Sequence, residues 1–360
     1  MMMDKQLVDD FCTFVQIDSE SGEEERFLEY LQDRFIKELE AECVRDSYGN
    51  LIARVPAKGS DKTEPILLGA HADTVKPGKG IEPVIENGVI RSKGDTILGA
   101  DDKAGIAEIF AAVRTASQRP PVEIVITRGE EIGLLGAKNL DTSLVNSKMG
   151  FIIDSDVLDT VIIGGPTHIS LDIEIIGKAA HAGMEPGKGI SAIRVAAAAI
   201  TQFPEGRIDA ETTANVGTIH GGLIRNGVPD RVTIQAECRS LNDDKAKEQA
   251  EKMRRAFEET AAAAGAKANI EVNVEYTAFQ LSAGDPVVEI AKRAIAAVGL
   301  EPKARVITGG TDALVLCSKG IKSVVLGTGG KGEHTSDENI AISDMEQATA
   351  MIRALLEDLA

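Results

Sequence analysis

The stretch VEIVITRGEEIG, residues 122–133, leads from an apolar run into two adjacent glutamates, Glu130 and Glu131. A short run of branched apolar residues predicts a strand that is buried on both faces, as in a parallel sheet covered by helices. In sheets of this kind, ligands bind outside the carboxyl ends of the strands. Two neighbouring carboxylates repel each other, so their position at such a strand end indicates that they meet a cation or a proton there.

The sequence on both sides of this stretch continues the pattern. Strands are predicted at 50–55, 66–70, 122–127 and 151–153, and helices at 22–40 and 104–117. Ser21 and Glu24 match a capping box at the start of the first helix. Short apolar strands that alternate with helices favour an α/β fold with a mostly parallel sheet covered by helices.

Near residue 166 the pattern changes. Residues 168–177 alternate apolar and polar side chains, as a strand with one solvated face does. The elements that follow have the order β-α-β-β-α-β, which is that of a ferredoxin-like α+β unit. From about residue 286 the first pattern returns. We therefore predict a main domain in two parts, 1–165 and 279–360, with a second domain inserted at 166–278.

The composition argues against several classes of function. The 360 residues carry a formal net charge of −18, whereas a nucleic-acid-binding protein needs a basic face. No apolar run approaches the roughly 20 residues that span a membrane, and the N-terminus lacks the features of a signal peptide. The four cysteines form no C-x-x-C motif, as is typical of reduced thiols. We expect a cytoplasmic protein without nucleic acid or membrane partners.

Further polar side chains follow the other predicted strands or precede a helix. They are His71, Asp73, Asp101, Asp102, Glu130, Glu131, Asp154, Asp156 and His334. Imidazole and carboxylate groups together bind zinc and several other divalent cations. Each motif alone has a simpler interpretation, since acids at a helix start can cap the helix and a GEE turn is usually solvated. Their joint occurrence in five loops predicts a metal site.

A different motif, GTGGKG at 327–332, matches the G-x-G-x-x-G pattern of dinucleotide-binding proteins. That pattern must open a helix whose N-terminus holds the pyrophosphate. The residues that follow, EHTSDENIAIS, have no helical period and contain His334. We therefore favour the metal site over a nucleotide site.

Six motifs in order resemble a family of dinuclear metallopeptidases that includes peptidase T, glutamate carboxypeptidases and aminoacylases. The motifs are HADTV, GADDKAG, GEEIGLLGAKNLD, KAAHAG, GGTDA and HTSDE. No single motif is specific, but the ordered set is, and it covers the whole chain. The GADDKAG and GGTDA forms are most similar to those of peptidase T-like proteins.

The resemblance implies a centre with two divalent metal ions, zinc first and cobalt or manganese as alternatives. His71 and Asp154 would hold one ion, and Glu131 and His334 would hold the other. Asp101 would bridge the two ions, and a cis peptide bond would follow it.

The resemblance also implies the catalytic residues. Glu130 would be the general base that takes a proton from the attacking water. Asp73 would be the carboxylate that orients His71. His181, in the inserted domain, would stabilise the developing oxyanion.

Four residues would contact the substrate by the same resemblance, namely Asn226, Arg239, Gly310 and Thr311. An arginine is suited to binding a carboxylate, although Arg239 also fits a surface ion pair. The inserted domain would be a lid and dimerisation domain, paired edge strand to edge strand in a homodimer. In such a dimer His181 would act at the site of the neighbouring subunit.

The implied reaction is hydrolysis of a peptide bond in short peptides by an aminopeptidase related to tripeptidases. Residues 181–193, HAGMEPGKGISAI, depart from the H-P-G-T pattern of peptidase T, which leaves the tripeptide preference open. One alternative is a carboxypeptidase or N-acyl amino acid deacylase with the same metals. Another is an inactive binding protein of the same fold, against which the complete ligand set with Glu130 argues.

Overall fold

The structure is a computed structural model that describes residues 5–360 and divides the chain into two compact units. The first unit contains the described residues up to Gly164, together with Gln280–Val306 and Thr311–Ala360. The second unit is Gly165–Phe279 with the short segment Ile307–Gly310. The assignment of 166–278 as a lid and dimerisation domain stays a prediction.

The first unit is built on a sheet whose middle strands are parallel. In spatial order its strands are Glu42–Arg45, Leu51–Val55, Val122–Thr127, Ile66–His71, Met149–Ile153, Lys322–Leu326 and Thr160–Gly165, and Lys303–Val306 pairs with the last of these. The four middle strands run parallel to one another. Every residue of Ile66–His71 and Val122–Thr127 is buried, because both faces of the sheet are covered. The predicted α/β fold is confirmed.

Helices cover this sheet. They are Lys5–Val15, Glu25–Leu39, Ala100–Thr115, Leu135–Asn139, Pro286–Ala297, Asp312–Ser318 and Ile342–Asp358, with a 3-10 turn at Thr142–Leu144. Ala100–Thr115 is buried along most of its length and packs against Ile66–His71 and Met149–Ile153. The GADDKAG motif at its start is thereby fixed relative to the strands that lead to His71 and Asp154.

A smaller sheet holds the segment that contains His334. Its strands in spatial order are Gly330–Lys331, Asn339–Ala341, Val89–Ser92 and Pro83–Glu86. His334 lies in the loop between the first two strands, which pair antiparallel. The GTGGKG motif therefore contains this short strand and is followed by a loop, and not by the helix that a dinucleotide site needs.

The capping box predicted at Ser21 and Glu24 is wrong. The helix begins at Glu25, and the side chain of its N-cap residue Glu24 makes no capping hydrogen bond. The Ser21 hydroxyl instead donates to Asp73 Oδ2 at 2.7 Å. The Ser21 hydroxyl therefore bonds to a buried carboxylate from a distant part of the chain and does not cap the helix. The sequence motif does not reveal that partner.

The second unit is an antiparallel sheet with helices on one face. In spatial order its strands are Gly206–Arg207, Thr212–Gly221, Arg231–Ser240, Thr167–Ile176 and Lys267–Tyr276. The helices Ala192–Ile200 and Asp243–Ala263 pack on it. Buried residues alternate with less buried ones along Thr167–Ile176, because only one face meets the helices. The predicted α+β order is confirmed.

Short elements complete the described chain. They are the paired strands Ala180–His181 and Gly227–Val228, the 3-10 turn Pro186–Lys188 and the strand Phe279–Gln280. Among residues 5–360, no helix is both long and apolar enough to cross a membrane.

Candidate metal centre

The predicted metal ligands of the first unit begin at the carboxyl ends of neighbouring parallel strands. His71 is the last residue of Ile66–His71, and Asp154 directly follows Met149–Ile153. Glu130 and Glu131 follow Val122–Thr127, the other neighbour of the His71 strand. Because parallel neighbours end at the same edge of the sheet, their polar side chains meet there.

Asp101 lies between two imidazoles. Its Oδ1 is 3.1 Å from His71 Nε2, and its Oδ2 is 3.1 Å from His334 Nε2. The peptide bond between Asp101 and Asp102 is cis, as the resemblance implied. With one oxygen directed to each histidine, the carboxylate suits the bridging role that the sequence analysis gave it.

The other predicted ligands lie beside these histidines. Asp154 Oδ1 is 3.8 Å from His71 Nε2, and Glu131 Oε1 is 3.0 Å from His334 Nε2. The two pairs that the resemblance assigned to separate ions are therefore neighbours in the structure.

Asp102 belongs to the same group, although only its neighbour Asp101 was selected as a ligand. Its side chain is buried, its Oδ2 accepts the His71 N–H at 3.2 Å, and its Oδ1 has no hydrogen-bond partner. His71, Asp102 and Asp154 each offer a ligand atom within 4.8 Å of the others. The acid pair in GADDKAG was a signal, but a sequence does not show which of two consecutive side chains faces a site.

Burial of so many acids in one place changes their pKa values. Burial raises the pKa of Asp154 and of Asp102 well above the usual range, and nearby carboxylates add to the effect. The carboxylates of Asp101 and Glu131 beside His334 raise the pKa of its imidazole to about 10. Asp154 and Asp102 therefore hold a proton more strongly than ordinary carboxyl groups do, which is what burial among other negative charges produces.

The donor set fits metal ions. Imidazole nitrogen and carboxylate oxygen are ligands for zinc, and the same set accommodates cobalt and manganese. Glu131 Oε1 is buried and has no hydrogen-bond partner, although it lies 3.0 Å from His334 Nε2. A cation that accepts an electron pair from each of these two atoms would supply the partner that Glu131 Oε1 lacks.

Asp73 does more than the sequence analysis assigned to it. His71 Nδ1 is 2.9 Å from the main-chain oxygen of Asp73 and 3.5 Å from its Oδ1. The carboxylate accepts the main-chain N–H groups of Glu130 at 2.9 Å and Glu131 at 3.2 Å, as well as the Ser21 hydroxyl. Asp73 thus contacts His71 through its main chain and holds both glutamates through its side chain.

Glu130 differs from Glu131 in its surroundings. Burial raises the pKa of the Glu130 carboxyl well above its usual value, and the charges of Asp154 and Asp312 add to the shift. A carboxyl group with a raised pKa takes up a proton more readily than an ordinary carboxyl group does. This environment suits proton transfer, whereas the contact of Glu131 with His334 suits metal binding.

His181 lies in the second unit on the short strand Ala180–His181, which pairs with Gly227–Val228. Its Nδ1 accepts the main-chain N–H groups of Gly183 at 3.2 Å and Met184 at 3.1 Å. In the neutral imidazole, Nε2 must then carry the proton. The exposed ring therefore offers an N–H donor that is suited to an oxyanion.

Asn226 lies next to His181. Its main-chain oxygen accepts the Ala182 N–H at 2.9 Å, and Asn226 and His181 line one cavity of about 530 Å³. Leu223 and Ile224 line the same cavity and are 96% and 67% exposed. Apolar side chains of this exposure indicate a surface that is suited to a partner.

Arg239 has charged neighbours in the second unit. Its Nη2 is 3.0 Å from Glu237 Oε2, and His168 Nε2 is 2.8 Å from the same oxygen. Hydrogen bonds from His168 and Arg239 lower the pKa of Glu237 to about 2. The buried Nε of Arg239 has no hydrogen-bond partner, so the guanidinium keeps one donor for another acceptor.

The GGTDA turn gives Gly310 and Thr311 different surroundings. A β-carbon on Gly310 would lie 2.4 Å from Tyr276 Oη, so a larger residue would have to displace that side chain. Thr311 is the N-cap of helix Asp312–Ser318, and its hydroxyl accepts the Ala313 N–H at 3.0 Å. The Thr311 side chain is therefore committed to the helix.

Two buried acids near this centre were not selected from the sequence. Asp312 Oδ2 accepts the Thr127 hydroxyl at 2.5 Å, its Oδ1 has no partner, and burial raises its pKa to about 6. Glu338 accepts the main-chain N–H of Asp101 at 3.0 Å. Both residues occur in quoted motifs, GGTDA and HTSDE, but their partners are far away in the sequence.

Two protein-family models match the chain. The model of the peptidase dimerisation domain matches residues 164–265, and the model of peptidase family M28 matches residues 50–180. The first match falls on the second unit, and most of the second match falls on the first unit.

The chain is also similar to full-length proteins. It is 42% identical to the uncharacterised protein YqjE of Bacillus subtilis (strain 168), and the alignment covers 100% of both chains. Aminopeptidase PepT of Bacillus cereus ATCC 10987 is 42% identical, with a TM-score of 0.87 and coverage of 99% of this chain and 98% of that chain. A tripeptidase of Staphylococcus aureus subsp. aureus Mu50 is 34% identical, with a TM-score of 0.93 and coverage of 100% and 99%. The chain belongs to the M20 peptidase family, among its peptidase T-like members.

Proposed function

We propose that this protein is a dinuclear metal-dependent aminopeptidase that hydrolyses short peptides, with tripeptides as the first expected substrates. The observation that carries the proposal is the position of Asp101, with one carboxylate oxygen 3.1 Å from each of the two histidines His71 and His334. A carboxylate between two imidazoles, with further acids beside each, is suited to two neighbouring cations.

His71 and Asp154 would hold one ion, Glu131 and His334 the other, and Asp101 both. The ions, zinc first with cobalt or manganese as alternatives, would supply Lewis acidity and make a water molecule more acidic. The contacts of these side chains in the structure support this division, since each proposed pair consists of neighbours.

Glu130 would take the proton from the attacking water and return it to the leaving amine. Its raised pKa supports the second half of that role, because the protonated form must persist long enough to act as an acid. Asp73 would keep Glu130 in place through the hydrogen bond from the Glu130 N–H.

His181 would donate from Nε2 to the oxyanion of the tetrahedral intermediate, and Asn226 and Arg239 would bind other parts of the substrate. The hydrogen bonds that fix Nδ1 of His181 as an acceptor support this donor role. The free Nε of Arg239 supports contact with an anionic group such as a peptide carboxylate.

The preference for a free amino terminus rests on the relatives. The B. cereus protein is described as an aminopeptidase and the S. aureus protein as a tripeptidase. A carboxypeptidase or an N-acyl amino acid deacylase would use the same ions and the same Glu130. These alternatives differ in the substrate terminus that is recognised.

A peptide panel tests the proposal. Metal-loaded protein should hydrolyse tripeptides with a free amino terminus and leave the same peptides intact when the amino terminus is acetylated. Glu130→Gln protein serves as the matched control for contaminating peptidases. Cleavage of only the acetylated peptides would favour the deacylase, release of the carboxyl-terminal residue would favour the carboxypeptidase, and no cleavage of any peptide would contradict a peptidase.

We further propose a homodimer in which His181 serves the partner subunit's site. The match of residues 164–265 to a dimerisation domain and the exposed apolar side chains beside His181 support it. Mixing inactive His181→Ala protein with inactive Glu130→Gln protein should restore activity, because each mixed dimer then has one complete site. No recovery after verified subunit exchange would exclude action across the dimer.

A further inference from the structure

We propose that Glu338 is a positioning residue of the metal centre, one that fixes the bridging carboxylate of Asp101 relative to His334. The inference rests on the proposed metal function of these two residues. Glu338 binds no ion in this scheme, and its effect is exerted through the main chain around Asp101.

The Glu338 carboxylate is buried and receives three main-chain hydrogen bonds from one short segment. Its Oε2 accepts the N–H groups of Leu98 and Gly99, each at 2.7 Å. Its Oε1 accepts the N–H of Asp101 at 3.0 Å. Both oxygens are therefore engaged, and hydrogen bonds to an ionised acceptor are about twice as strong as those between neutral groups.

Leu98 and Gly99 directly precede helix Ala100–Thr115, and Asp101 lies in its first turn, where the backbone angles of Asp101 and Asp102 are not helical. N–H groups at such a helix end have no partner inside the helix. Gly99 is the N-cap residue of this helix and has no side chain that could accept these bonds. Glu338 lies 237 residues after Asp101. It provides the acceptor for these N–H groups that the side chain of a local capping residue usually provides.

The same residue is tied closely to His334. The loop from Gly332 to Glu338 is closed by hydrogen bonds from the Thr335 N–H to the Gly332 oxygen and from the Glu338 N–H to the Thr335 oxygen, both 3.2 Å. The loop is flanked by the paired strands Gly330–Lys331 and Asn339–Ala341. A short closed loop of this kind fixes the position of His334 relative to Glu338.

One side chain thus joins the two segments that supply Asp101 and His334. The distance of 3.1 Å between Asp101 Oδ2 and His334 Nε2 depends on the relative position of those segments. Groups behind metal ligands typically affect metal affinity or activity 10- to 100-fold. An effect of this size on metal binding is what separates a positioning residue from one that only stabilises the fold.

Glu338→Gln is the main test, because glutamine has the same shape but turns an NH₂ group toward main-chain N–H donors. Glu338→Asp keeps the charge and shortens the side chain by one methylene. Asp337→Asn is the matched control, since it removes the same charge from the neighbouring, exposed position. Glu108→Gln is a second control. Glu108 is buried in helix Ala100–Thr115, and neither of its carboxylate oxygens has a hydrogen-bond partner.

The readouts are the dissociation constants of Zn²⁺ and Co²⁺ from competition with a chromophoric chelator, the visible spectrum of the Co²⁺ protein, and thermal unfolding of the metal-free protein. We expect Glu338→Gln to bind at least one ion 10- to 100-fold more weakly and to change the Co²⁺ spectrum. Glu338→Asp should lie between it and the wild type, and both controls should match the wild type within about twofold. In peptide hydrolysis, kcat should fall in Glu338→Gln more than KM rises.

The inference and the proposed function fail in different ways. Wild-type protein that binds neither ion contradicts the proposed function. Wild-type protein that binds two ions, with Glu338 variants that bind them equally well and give the same Co²⁺ spectrum, contradicts only the positioning role. Variants that lose thermal stability but keep metal affinity, or two Glu338 variants that both fail to fold, would assign Glu338 to the stability of the fold and overturn the inference.

Discussion

Each unit of this protein gathers charged side chains at one point, and the balance of charge differs between the two points. In the second unit, Glu237 lies against His168 and Arg239, and these neighbours lower the pKa of its carboxyl to about 2. In the first unit, burial raises the pKa of the acids Asp154 and Glu130 well above the usual range. The first unit has more acids than bases at its strand ends, and the second unit pairs its acid with bases.

The difference separates a cluster whose acid is paired with basic side chains of the protein from one whose excess of acids suits an added cation. Glu237 is stabilised in its charged form by its own neighbours, and the buried Nε of Arg239 beside it stays free for another acceptor. The first cluster keeps buried atoms without hydrogen-bond partners, among them Glu131 Oε1 and Asp102 Oδ1. Buried polar groups without partners are uncommon in folded proteins, and these two carboxylate oxygens lie beside histidines at the strand ends, which is a sign of function.

Removal of the metal ions should have the largest effect and would show directly that the first cluster is incomplete. Dialysis against a chelator should reduce peptide hydrolysis to background, and zinc, cobalt or manganese should restore it. Because a ligand that binds only the folded state stabilises it, the metal-free protein should also unfold at a lower temperature. Elemental analysis should give two ions per chain, and one or none would contradict the dinuclear centre.

Replacement of Glu130 should have the next largest effect and separates proton transfer from metal binding within the first cluster. Glu130→Gln should keep both ions and lose about 10²-fold or more in kcat, since general acid–base catalysis contributes that much. Glu131→Gln should instead weaken the binding of one ion. Metal content and kcat of both variants give the answer, and the opposite pattern would exchange the roles of the adjacent pair.

Replacement of Asp73 tests whether the support of the first cluster is as important as its ligands. Asp73→Asn keeps the shape but presents an NH₂ group to one of the N–H donors of Glu130 and Glu131. We expect a 10- to 100-fold loss in kcat or metal affinity. Ser21→Ala removes only one of the three side-chain hydrogen bonds to Asp73 and is the control. Equal losses in the two variants would show that the bonds to the glutamates contribute nothing.

Much of the first cluster was predictable, because an apolar strand and the polar residues that follow it are adjacent in the sequence. His71, Glu130 and Asp154 each follow a run of buried residues, and parallel strands bring such ends together. The sequence also shows no helix after GTGGKG, which argued against the nucleotide site. These inferences need only the period of the hydrophobic residues and the order of the elements.

The supporting contacts were not predictable, because their partners lie far apart in the chain. Ser21 reads locally as part of a capping box, but a carboxylate 52 residues away accepts its hydroxyl. Glu338 is 237 to 240 residues from its three donors. The small sheet that flanks His334 consists of strands of two to four residues, which are too short to show a period of two.

Replacement of Glu237 should have the smallest effect and shows whether the second cluster is complete without metal. The pKa of Glu237 in the folded state, about 2, lies below the ordinary value of 4.5. Between these two pH values the unfolded chain therefore binds more protons than the folded chain does. Glu237 therefore contributes stability that is fully present above about pH 4.5 and is lost as the pH falls towards 2.

Denaturant unfolding of the wild type and of Glu237→Gln should differ most near pH 6 and converge as the pH is lowered through 4 to 3. The difference should be the same with and without metal ions. A difference that is independent of pH would show that Glu237 acts through its shape, and a difference that depends on metal would show that the two clusters are coupled.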